Sequence, residues 1–110
     1  MKNKIIRKLF LGFIQIHILY HADKEPIYGT WMMKELEEHG YKISPGTLYP
    51  LLKRMEEEEL LSKAEKNIDG RIIKLYKTTE IGQEVLKEAT EKAAELFHEI
   101  KTKGDNNDSI

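Results

Sequence analysis

The sequence predicts a mainly α-helical fold with one small β-hairpin, on three observations. Apolar residues recur at helical spacing in four separate segments. The pair Asp69-Gly70 stands between two short strand-like runs, which is the composition of a tight hairpin turn. The order is helix, helix, helix, hairpin, long helix, and a hairpin placed directly after two turn-connected helices is the arrangement of a winged helix-turn-helix. At 110 residues the chain is long enough for one core. We divide it into a winged helix-turn-helix over residues 1–78, a dimerisation helix over 79–103 and a polar, disordered tail over 104–110.

Helix 1 is expected from Ile5 to His21, largely buried, with its period set by Ile6, Leu9, Phe10, Phe13, Ile14 and Leu19. Asp23-Lys24-Glu25-Pro26 reads as a polar break, with Pro26 opening helix 2 because a first-turn residue needs no amide hydrogen. Helix 2 then runs to Glu38 on the period of Tyr28, Trp31, Met32, Glu35 and Leu36, and Gly40 supplies the left-handed residue past its end. Ser44 is a strong N-cap and Pro45 a favourable first residue for helix 3. Leu48, Leu51, Leu52 and Met55 then form one apolar stripe. Pro50, well inside that helix, deletes a backbone bond at a cost of about 3 kcal/mol and predicts a kink.

Leu60 to Lys66 and Arg71 to Lys77 read as the two strands. Thr79 with Glu80 caps the last helix. Along it Gly82, Leu86, Ala89, Ala93, Leu96 and Ile100 alternate steps of four and three, the seam of a coiled coil. We assign Leu86, Ala89, Ala93, Leu96 and Ile100 to dimerisation.

Composition narrows the function. With no cysteine, disulfides, thiolate metal sites and thiol nucleophiles are all excluded, which suits a reducing cytoplasm. The basic start Lys2, Lys4, Arg7, Lys8 and the apolar run after it imitate a signal peptide, but Gln15 and His17 interrupt the run and no small-residue cleavage site follows. A membrane partner is not expected. The net charge of −1 conceals a segregation, +3 over residues 1–77 and −4 over 78–110. Local cationic surface, rather than a basic whole, is what phosphate contacts require.

Helix 3 is the candidate recognition helix, since residues near the start of such a helix meet base edges and its first amides attract phosphate. Ser44, Gly46, Thr47 and Tyr49 stand at that start, and Lys53 and Arg54 lie further along for flanking phosphates or a guanine. Tyr49, next to the apolar stripe, reads equally well as a half-buried core residue. On the hairpin, Arg71 and Lys74, with Lys66 and Lys77, form a small basic ribbon. No nucleophile-base-acid grouping or phosphate loop is present, so an enzyme is not expected. His17 and His21 are four apart on helix 1, as two ligands on one face would be, but no nearby carboxylate completes a set. No metal or cofactor is assigned, and His39 and His98 read as surface residues.

Pro26-Ile27-Tyr28-Gly29, Ile43 through Glu56, Gly70-Arg71, Lys74-Leu75-Tyr76 and Thr78 through Gly82 together resemble the PadR family of transcription regulators. The likeness spans residues 9–100. It implies a homodimeric winged helix that represses promoters at a palindromic double-stranded operator and leaves DNA when a small-molecule effector binds. By position it places Ser44, Gly46, Thr47 and Tyr49 on DNA and Arg71 and Lys74 in the wing, with Tyr28 and Gly29 supporting helix 2. Two positions depart. Glu59 stands where the family has a helix-ending glycine, so helix 3 is expected to end differently. Ala93 stands where drug-binding members carry a tryptophan, leaving Phe97 as the aromatic of the last helix and Phe13, Ala93 and Phe97 as the candidate effector pocket. Two other readings compete: a metal-responsive regulator through His17 and His21, and a winged helix that serves as a protein-interaction module, suggested by the acidic run Glu56 to Glu59.

Overall fold

The computed structural model describes residues 3–108, and their side chains through Thr102. The elements follow the expected order: α1 (Lys4–Lys24), α2 (Gly29–Glu38), α3 (Pro45–Glu57), β1 (Leu61–Ile68), β2 (Arg71–Thr78) and α4 (Glu80–Asp108). Asn3 caps α1, its Oδ1 accepting from the amides of Ile5 at 2.8 Å and Ile6 at 3.4 Å. α1 continues through Asp23 and Lys24, where the sequence suggested a break. Pro26 does not open α2. The amide and carbonyl of Ile27 instead pair with those of Tyr76 at 2.9 and 2.8 Å, an antiparallel bridge that holds residue 27 extended and delays the helix to Gly29.

The core lies where α1, α2, α3 and the body end of the hairpin meet. Ile14, Ile18, Leu19 and Ala22 of α1, Met32 and Leu36 of α2, and the α3 stripe Leu48, Leu51, Leu52 and Met55 are all buried, closed off by Ile27, Leu61 and Tyr76. Inside it, Thr78 Oγ1 donates to the Leu19 carbonyl at 2.8 Å, fastening the end of β2 to α1. The expectation that α1 is largely buried is corrected: Ile5, Ile6, Leu9, Phe10 and Phe13 are exposed. The core takes one stripe of the helix, and a second apolar stripe faces outward.

Two helix ends share one solution. At α2, Gly40 takes φ +88°, with its amide on the Glu37 carbonyl and the Tyr41 amide on that of Leu36. At α3, Glu59 takes φ +64°, with its amide on the Glu56 carbonyl and the Leu60 amide on that of Met55. Both are Schellman caps. The departure at Glu59 therefore leaves the ending intact, with a non-glycine residue in the left-handed conformation. α3 runs as one helix through Pro50.

In the hairpin, Leu61 pairs with Thr78 and Ile68 with Arg71. Asp69 and Gly70 both have positive φ, 52° and 80°, as a two-residue type I′ turn requires. Because that turn uses two residues only, Asn67 and Ile68 join β1, which is longer than expected. α4 packs its first turns on the body through Leu86 and a bond from Gln83 Nε2 to Asp23 Oδ1 at 2.7 Å. It continues to Asp108, past the end expected at Lys103; residues 109 and 110 of the expected tail lie outside the described residues.

Candidate nucleic-acid interface

The start of α3 is presented to solvent. Ser44, Pro45, Gly46, Thr47, Tyr49, Lys53 and Arg54 are exposed, while Leu48, Leu51 and Leu52 between them are buried. The helix is thus held by one face and offers the other. Ser44 occupies the cap position in extended conformation, but its side chain makes no bond to the α3 backbone. Its hydroxyl lies 3.2 Å from Thr47 Oγ1 instead. The two hydroxyls fix one another on the outer surface of the first turn, where the helix dipole concentrates positive potential.

Tyr49 resolves as a wall rather than a core residue. The hydroxyl end of its ring lies against Gly29 at the beginning of α2, so close that a Cβ at position 29 would collide with it, yet the residue stays 43% exposed. That explains Gly29, which is buried and leaves room for the ring. Tyr49 then separates two grooves. One lies between α2 and the hairpin, with Tyr28 to Thr30 and Tyr49 on one wall and Arg71 to Lys74 with Tyr76 on the other. The other is lined by Tyr49, Pro50, Lys53, Glu56, Lys63, Lys74 and Tyr76.

The two grooves that meet at Tyr49 thus gather Lys53, Arg71 and Lys74 and add Lys63. Sequence reading missed Lys63, whose Nζ lies 3.9 Å from Glu56 Oε1. The signal was available only through register, because Lys63 pairs directly with Tyr76 across the hairpin and so shares its face. The same register divides the expected basic ribbon. Lys63 and Lys74 are on the face that continues from the core, with Glu65 opposite Lys74, whereas Lys66, Arg71 and Lys77 alternate to the other face, Arg71 lining the first groove from the end of the hairpin. Arg54 is exposed on α3 and lines neither groove.

The expected seam on α4 also divides. Gly82 is buried against its own chain, where a Cβ would strike the Leu60 carbonyl and come within 2.7 Å of Thr78 Cγ2. Leu86 packs on the core and Ala89 is half-buried. Ala93, Leu96, Phe97 and Ile100 are exposed, the last three at 54%, 63% and 61%. Phe13, the third residue of the candidate effector pocket, is exposed on α1.

Comparison with known proteins matches this arrangement. Residues 18–88 match the model of the transcriptional regulator PadR-like family. The chain is 40% identical over 95 residues to the transcriptional regulator Rv3488 of Mycobacterium tuberculosis, covering 86% of this chain and 89% of that one. Among solved structures, a PadR family transcriptional regulator from Eggerthella lenta superposes with a TM-score of 0.77 at 32% identity, covering 89% of this chain and 87% of the other. A PadR-like transcriptional regulator from Bacillus cereus gives a TM-score of 0.77 at 30% identity, covering 86% and 94%. With its three helices, hairpin and trailing helix in that family's arrangement, the chain belongs to the PadR-like family of transcriptional regulators.

Proposed function

We propose that the protein is a sequence-specific DNA-binding repressor that grips a palindromic operator as a homodimer, in the cytoplasm, and leaves it when a small molecule binds. The observation that carries this reading is the grouping of the exposed α3 start with Lys53, Lys63, Arg71 and Lys74 around Tyr49. A helix entering the major groove through Ser44, Gly46 and Thr47 would set the hairpin beside the adjoining backbone, within reach of phosphates. Ser44 and Thr47 offer hydroxyls and Thr47 a methyl for base edges, and the lysines and Arg71 offer charge without sequence preference. Two exposed apolar stripes, Ile5, Ile6, Leu9 and Phe13 on α1 and Leu96, Phe97 and Ile100 on α4, support twofold pairing, since a second copy would cover them. The effector would enter between those stripes, against Phe13, Ala93 and Phe97.

Binding to the DNA upstream of the protein's own gene, followed by fluorescence anisotropy, tests the assignment. Thr47→Ala is expected to weaken the specific complex by about 1–3 kcal/mol and leave random DNA unaffected. Arg71→Ala is expected to weaken both alike. Equal affinity of the two variants and the parent for that DNA would remove the assignment.

A further inference from the structure

Three histidines from two helices meet beside one carboxylate. His17 and His21 lie one turn apart on α1, and His39 is the C-cap of α2. One ring nitrogen from each lies within 4.8 Å of those of the other two. The rings of His17 and His39 have centroids 4.7 Å apart, and those of His17 and His21 stack near-parallel at 6.3 Å. Glu35 Oε1 stands 3.5 Å from Nε2 of His21 and 3.4 Å from Nε2 of His39. Tyr41 and Trp31 abut His17 and His21 edge-on, restricting how the two rings turn. His39 is half open to solvent, so the cluster has an entrance.

We propose that His17, His21 and His39 form a site for a divalent transition-metal cation of the zinc class, held by three imidazole nitrogens, and that the ion staples α1 to the end of α2. The donor set argues for that class. Imidazole suits Zn²⁺, Ni²⁺ and Cu²⁺, whereas the softer Cu⁺ prefers sulfur donors, and the three ligands of this cluster are all nitrogens. Zinc–nitrogen bonds of about 2.0–2.1 Å in a tetrahedron place the nitrogens about 3.4 Å apart, so closing from 4.8 Å takes an ångström or so of side-chain movement. Glu35 supplies the carboxylate that offsets the cation's charge and orients the rings.

Ligation needs neutral imidazole, and the surroundings favour it. Burial pushes His17 below its ordinary value, His39 and His21 adding to the effect and Glu35 opposing it. Burial also lowers His21, opposed by Glu35 and assisted by His39 and Lys24. Sequence reading had found the α1 pair without a third ligand, because His39 and Glu35 arrive only when α2 packs on α1. The site does not depend on the DNA-binding reading.

The test is a titration of the full chain, stripped with a chelator, with Zn²⁺ against a chromophoric zinc indicator, accompanied by thermal unfolding with and without Zn²⁺. One ion per chain and a rise in Tm are expected. His17→Ala and His39→Ala should each weaken binding at least tenfold and abolish the rise, while His98→Ala on α4 changes neither. His39→Asn keeps a polar group at an exposed helix end and separates lost ligation from lost folding, the unfolding of the metal-free variant reporting the fold. No stoichiometric binding, binding retained without His39, or equal loss in His98→Ala would overturn the site.

Discussion

At the scale of single residues, Glu59 closes α3 in a conformation that most side chains avoid. Its left-handed φ of +64° is maintained by bonds on both sides: the Leu60 amide reaches back to Met55, and Thr79 donates through Oγ1 to the Glu59 carbonyl and through its amide to that of Leu60. Glycine adopts that φ without the Cβ penalty. Glu59→Gly is therefore expected to stabilise the fold by about 0.5–1 kcal/mol, read as a shift in urea midpoint at constant slope. Unchanged or reduced stability would mean that the carboxylate compensates the strain. Gly82 is the converse case. Its missing side chain makes room for the Leu60 carbonyl, so Gly82→Ala should destabilise by about 1–3 kcal/mol in the same measurement. From sequence alone Gly82 looked like the first seam position and Glu59 like a lost cap. Both impressions follow spacing and residue type, whereas the outcome depends on chain segments about twenty residues away.

Among the elements, what was legible had a short period and what was not had a long reach. The α3 stripe Leu48, Leu51, Leu52 and Met55 is buried as its spacing required, and the Asp69-Gly70 turn forms because both residues tolerate positive φ. The start of α2 was misplaced because Ile27 pairs with Tyr76, 49 residues further on, in preference to joining a helix that Pro26 would suit. Lys63, and His39 beside the α1 pair, stayed hidden for the same reason. α1 and α4 show the limit of periodicity most clearly: apolar spacing announced that each has a buried face, but the first core takes only part of each. Phe97 and Ile100 are left exposed. We expect Phe97→Glu with Ile100→Glu to shift the protein from dimer to folded monomer in equilibrium sedimentation, with its far-ultraviolet dichroism unchanged. A parent protein that sediments as a monomer would contradict the pairing.

The whole molecule is elongated. The Cα radius of gyration is 16.7 Å and the extents are 65 × 32 × 21 Å, against roughly 13 Å for a compact chain of 100 residues. The excess comes from α4, whose 29 residues span about 44 Å and leave the body after the first turns. A helix that long, with exposed Leu96, Phe97 and Ile100 beyond the turns that pack on its own chain, suits pairing with a second copy, which would hold two recognition helices at a set separation. Within each copy, α3 and the hairpin are expected to bind one DNA together. The slope of log affinity against log salt measures that most directly, since each phosphate neutralised contributes about −0.9. Lys63→Ala combined with Lys74→Ala should flatten the slope by about 2 for each copy bound while leaving the choice between operator and random DNA in place. A slope identical to the parent's would contradict a hairpin that touches DNA.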